Sequence, residues 1–124
     1  MAKTSLNFEI HTQDRRLGHT MFGFRQEEGI TSLKTGAKRE VAQDIEAVFQ
    51  HVESRRSLDW PEIVAFVVTV SASIPPEVAA NLITQWLMSM IPRKPEKIVV
   101  ERTEIEFEEG LIRRIIHEKM SQSR

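Results

Sequence analysis

Residues 5–12 alternate strictly, with Leu6, Phe8 and Ile10 on one side and Asn7, Glu9 and His11 on the other. A period of two predicts a half-buried β-strand. Asp14 to Gly18 reads as a turn. His19 to Arg25, with Met21, Phe22 and Phe24 around Gly23, reads as a second strand. A turn at Gln26–Gly29 would return it along Ile30 to Leu33, an irregular loop being the alternative. From Ala37 to Ser54 the spacing changes. Val41, Ile45, Val48/Phe49 and Val52 fall on one side of an amphipathic helix. Ser57 to Pro61 breaks it, and Asp59-Trp60-Pro61-Glu62 has the form of a capping box. That start signal predicts a helix over Ile63–Val70, buried nearly all round. The β-branched composition of the segment makes a buried strand the alternative.

Ser71 to Pro76 connects to the most regular pattern in the chain. Apolar pairs recur every four residues at Val78/Ala79, Leu82/Ile83, Trp86/Leu87 and Met90/Ile91, drawing a wide helical stripe over Pro76–Ile91. Pro92 stops it, and Pro92 to Pro95 is a loop. Lys97 to Phe107 reads as a tight hairpin around Glu101-Arg102-Thr103. Leu111/Ile112, Ile115/Ile116 and Met120 then restore the helical period. The expected architecture is a single α+β domain over 1–124: a small, mainly antiparallel sheet covered by three or four helices, ending in a helix–β-hairpin–helix unit. The sheet would hold the 5–12 strand and the 97–107 hairpin.

Composition narrows the functional classes. The length of 124 residues suits one domain with a real core. The net charge of −1, from 17 basic and 18 acidic residues, supplies no bulk attraction to nucleic acid or anionic lipid. The absence of cysteine removes disulfides, thiolate catalysis and cysteine-bound metal. Met1–Ser5 leads into no apolar h-region and the longest apolar run is Ile63–Val68, so neither a signal peptide nor a membrane span is expected, and the cytoplasm is the expected compartment.

Candidate chemistry is sparse. His11, His19, His51 and His117 share no metal-ligand spacing. On the predicted 37–54 helix Glu40, Asp44 and His51 would form a row able to serve a metal-dependent hydrolase, although acids flanking an apolar stripe are the ordinary edge of an amphipathic helix. Glu101, Glu104, Glu106, Glu108 and Glu109 make the hairpin acidic, and Glu104, Glu106 and Glu108 would share one strand face, a water-facing surface or a docking face for a basic partner. Arg15-Arg16, Arg55-Arg56 and Arg113-Arg114, with Arg93, Lys94 and Lys97, could hold phosphates if the fold gathered them. Tyrosine is absent and the phenylalanines sit at core spacing, which disfavours base stacking and nucleic acid as a partner. No Gly-rich phosphate loop, nucleophile elbow or Ser/His/Asp arrangement occurs, and no cofactor is expected.

The 76–91 stripe exceeds what one small sheet requires. Together with Ile63–Val70 it implies either a fully interior pair of helices or a helix face shared with another chain. In the second case Trp86, Leu87, Met90 and Ile91 are the expected interaction surface, closed through a two-fold contact in a homodimer.

The runs Ile74-Pro75-Pro76-Glu77-Val78-Ala79-Ala80-Asn81-Leu82-Ile83, Trp86-Leu87, Lys97-Ile98-Val99-Val100, Ile105-Glu106-Phe107-Glu108-Glu109-Gly110 and Ile112-Arg113-Arg114-Ile115-Ile116 resemble a class of small uncharacterised prokaryotic α+β proteins. In outline they are similar to effector-associated domains of bacterial conflict systems. The resemblance covers residues 74–119 and rests on hydrophobic pattern. It implies an accessory or adaptor component of a prokaryotic or phage system and transfers no active-site residue. The expected function is a non-enzymatic module that binds a protein partner. A nucleic-acid-binding regulator using the arginine doublets and a small metal-dependent hydrolase are the alternatives.

Overall fold

The computed structural model describes residues 3–25, 31–54 and 60–124. Its main sheet has six strands, all antiparallel: β1 (Lys3–Thr12), β4 (Lys38–Ala42), β5 (Ile45–Glu53), β6 (Glu62–Ser71), β7 (Lys97–Val100) and β8 (Thr103–Ile105), in the order β4-β5-β6-β1-β7-β8. Two further short strands, β2 (Phe24–Arg25) and β3 (Thr31–Ser32), pair with each other. The described residues also hold three helices: α1 (Leu17–Phe22), α2 (Pro76–Met90) and α3 (Glu109–Ser123). β6 and β7 both run antiparallel to β1, which lies between them, so they point the same way and α2 is the crossover that joins them.

The alternation of β1 is realised. Leu6, Phe8 and Ile10 are buried towards the helices, and the ladder sets them opposite Val68, Phe66 and Val64 of β6. Phe66 is the hub of the core. Its ring stacks on Phe8 at 5.3 Å, and meets Phe22 of α1 at 5.4 Å and Trp86 of α2 at 5.9 Å. Offset and edge contacts of this kind add to the roughly 1.5–3 kcal/mol that full burial of each such side chain contributes. Ala79, Ile83 and Leu87 of α2 and Ile112, Ile116 and Met120 of α3 complete the same cluster.

Several expectations are corrected. The helix expected over Ala37–Ser54 is the hairpin β4–β5, turning at Gln43-Asp44 with Asp44 at φ 66°. A β-bulge between Phe49 and His51 explains the misreading. It inserts one residue, so Ile45, Phe49 and Val52 all meet inward-facing partners (Val70, Phe66 and Val64) at spacings of four and three. A bulged strand thereby reproduces a helical period. The helix expected over Ile63–Val70 is strand β6. Asp59 lies outside the described residues, and Glu62, instead of closing a cap, begins the strand. Its carboxylate accepts the Ser54 hydroxyl at 2.9 Å and pairs with Arg15 at 3.6 Å.

The strand expected over His19–Arg25 is largely α1, whose buried Leu17, Met21 and Phe22 give one short turn of apolar face. Only Phe24–Arg25 is extended, paired with Thr31–Ser32. The expected turn at Gln26–Gly29, and Ile30, lie outside the described residues. α1 ends where Gly23 turns extended with its N–H on the His19 carbonyl, a close approach that a Cβ at this position would obstruct.

Candidate functional site

Among the described residues the helices cover one face of the sheet only. Register fixes the opposite face: Lys3, Ser5, Asn7, Glu9 and His11 of β1 lie across from Ser71, Thr69, Val67, Ala65 and Ile63 of β6. Val48 and His51 of β5 flank Val67 and Ala65, while Val99 of β7 flanks Glu9. A one-sided antiparallel sheet normally alternates apolar inward with polar outward. β6 does not. Its outward positions Ile63, Ala65 and Val67 are aliphatic, and with Val48 of β5 they form an apolar strip on the uncovered face, while Asn7, Glu9 and His11 of β1 stand between that strip and Val99 of β7. Ile63, Val67 and Val48 remain partly exposed.

Basic and acidic side chains stand in close pairs on the same face. Lys38 meets Glu46 at 3.5 Å, Glu9 meets His11 at 3.5 Å, Glu53 meets His51 at 3.7 Å, and Lys97 donates to Glu104 at 2.9 Å. Lys97 holds the Glu104 carboxyl below the ordinary glutamate value, first through that hydrogen bond and then through its charge. The Nε2 of His11 that faces Glu9 is shut off from solvent and makes no hydrogen bond to that carboxylate.

A depression of about 490 Å³ crosses the same face from β5 to β7, lined among others by His51, Ala65, Glu9, Val99, Glu101 and Arg102. Glu101 and Arg102 form the two-residue turn between β7 and β8, both in the left-handed region at φ 46° and 71°. Non-glycine residues pay for that conformation in steric energy, and here neither is glycine or asparagine. The turn is tied down by Glu101, whose Oε1 accepts the backbone N–H of Asn7 at 2.7 Å and whose own N–H donates to the Asn7 carbonyl at 2.9 Å. The strain delivers a carboxylate and a guanidinium to the rim of the depression.

The residues expected to form an interaction surface lie elsewhere. Leu87 is fully buried, and Trp86 and Ile91 are nearly so, all within the chain's own core. Met90 is partly buried against the same cluster. The α2 stripe is consumed by the helix–sheet interface, since a sheet of six strands offers more inward area than the three expected. Glu104 lies on the uncovered face opposite Val99, but β8 ends at Ile105, so Glu106 and Glu108 are exposed in the link to α3 and share no strand face with it.

Glu40 and Asp44 line a different depression from His51, and their expected helical row does not exist. Among the described residues no group of three or more histidines and carboxylates could hold a metal ion. Arg15 is tied to Glu62 and to the Trp60 carbonyl, Arg113 and Arg114 lie on α3, and Arg55-Arg56 fall outside the described residues. Among the described residues no helix is long and apolar enough to cross a membrane. Comparison with protein-family models, curated proteins and solved structures returns no match for this chain.

The uncovered face escaped the sequence reading because outward positions are defined only once register is known. One signal was present: the unbroken apolar run Ile63–Val68, the pattern of a strand covered on both faces.

Proposed function

We propose that the protein is a non-enzymatic interaction module, an accessory or adaptor component that binds a partner protein through the uncovered face of its sheet. One observation carries this reading: β6 turns Ile63, Ala65 and Val67 outward as well as an apolar row inward, while the described helices cover only the inward face. An aliphatic strip beside paired charges has the composition of a docking surface, in which the apolar part supplies affinity and the charged part sets register. Trp60, half exposed at the entry to β6, adds an aromatic of the kind that anchors such contacts. In this reading residues 76–123 act as one helix–β-hairpin–helix unit. Its hairpin widens the face, while its two helices brace the sheet from behind. A homodimer formed face to face would be the self-complementary version of the same contact.

Affinity capture from the source cells with wild type and Val67→Lys side by side tests the proposal. Val67 is partly exposed and points away from the core, so the variant should fold with an unchanged circular dichroism spectrum and lose the partner that wild type retains. Identical retention by the two proteins would overturn it, as would an enzymatic turnover that Val67→Lys leaves intact while no partner is retained.

A further inference from the structure

The outer layer carries a second concavity, unrelated to the sheet face. Residues 110, 113, 114 and 117 of α3 are spaced as one stripe of a helix, and 77, 80 and 81 of α2 as a matching stripe. Together they line a groove of about 330 Å³. The α3 stripe supplies Arg113, Arg114 and His117, while α2 supplies Glu77, Ala80 and the Asn81 amide. Three basic side chains thus line the groove with one carboxylate, Glu77, and a second, Glu109, lies 3.6 Å from Arg113.

Little in the chain compensates them. Among the described residues Arg114 and His117 form no ion pair. Arg113 reaches only Glu109 on its own helix, at 3.6 Å, and its Nε–H is enclosed without a hydrogen-bond partner. A buried donor left unpaired costs stability. An acceptor able to draw the guanidinium fork into the groove would recover that cost. A doubly charged tetrahedral oxyanion suits this set better than a carboxylate, because it can accept from two guanidinium groups, an imidazole and an amide at once. The groove is also larger than one such ion, leaving room for a small group attached to it.

We infer that the α2–α3 groove is a binding site for a phosphate group, held by Arg113, Arg114 and His117 and oriented by Asn81. The test titrates isotope-labelled full-length protein with inorganic phosphate and with O-phosphoserine, at ionic strength held constant with sodium chloride. Saturable amide shifts centred on Asn81, Gly110, Arg113 and His117 are expected. The Arg113→Gln/Arg114→Gln variant should weaken binding about tenfold or more, and Glu77→Gln should tighten it about twofold by removing the repulsive carboxylate. Arg114 and His117 are exposed, so Arg114→Gln and His117→Gln keep the question open to measurement if the double variant fails to fold. Tighter saturation by phosphoserine would assign the group to a phosphorylated chain or metabolite, and tighter saturation by inorganic phosphate to the free ion. Shifts that do not saturate, that chloride reproduces, or that the substitutions leave unchanged would overturn the inference.

Discussion

Arg102→Gly should make the protein more stable, although it removes every side-chain atom at that position. Arg102 sits at φ 71° in a two-residue turn closed by the Val100–Thr103 pair. Turns of this length favour Asn-Gly because both central residues need positive φ. An L-residue in the left-handed region costs roughly 1–2 kcal/mol. Glycine removes that cost but loses about 0.5–1 kcal/mol through the greater freedom of its unfolded chain. The difference is a gain of about 0.5–1 kcal/mol, or roughly 2–5 °C in Tm for a domain of this size. Urea denaturation should show a higher midpoint at an unchanged m-value. Arg102→Ala is the control, since it deletes the side chain and keeps the Cβ, so its stability should match wild type. Equal effects from the glycine and alanine variants, or a loss with glycine, would refute the assignment of strain to this turn. The strain has a functional reading too: a stabilised Arg102→Gly protein that binds its partner less well would show that the turn is kept for the charges it presents.

Three further outcomes follow from the geometry. Phe66→Ala should cost about 3–5 kcal/mol, because its ring meets Phe8, Phe22 and Trp86 together; a loss below about 1 kcal/mol in chemical denaturation would mean that Phe66 is not the hub of the core. Gly23→Ala should destabilise by about 1–3 kcal/mol, since the added Cβ meets the His19 carbonyl at the end of α1, and a thermal melt matching wild type would contradict that close approach. The Glu104 carboxyl should titrate by NMR below the ordinary glutamate value. Because the folded group is the stronger acid, its contribution is present above the unfolded value and is lost as pH falls through the folded one. Lys97→Met should return the midpoint upwards, and a midpoint unmoved by that change would remove Lys97 as the cause.

Much of the architecture is legible in the residues, and the misreadings share a physical origin. β1 and α2 announce themselves because each keeps one undisturbed period over ten or more residues. β5 does not, because the bulge after Phe49 moves its inward positions from odd to even numbers and imitates a helix. At Ile63–Val70 a local start signal at Asp59–Glu62 outweighed β-propensity in the reading, whereas Glu62 serves a tertiary purpose, accepting Ser54 and pairing with Arg15. Those two errors removed strands from the expected sheet and left α2 with apparently surplus apolar surface. Local pattern alone therefore points Trp86, Leu87 and Ile91 outward, whereas they are packed in the core with Phe22, Phe66 and their neighbours. The candidate face needs register between strands far apart in sequence, such as Asn7 against Val67, which no local pattern encodes.

Methyl NMR of protein labelled at isoleucine and valine, titrated with the captured partner, tests the central claim most directly. Val48, Ile63 and Val67 lie on the uncovered face, whereas Val78 is exposed on α2 in the helical layer. The account predicts that the partner shifts and broadens the first three and leaves Val78 unchanged. Perturbation centred on Val78, with Ile63 and Val67 unmoved, would place the interaction on the helices and contradict it.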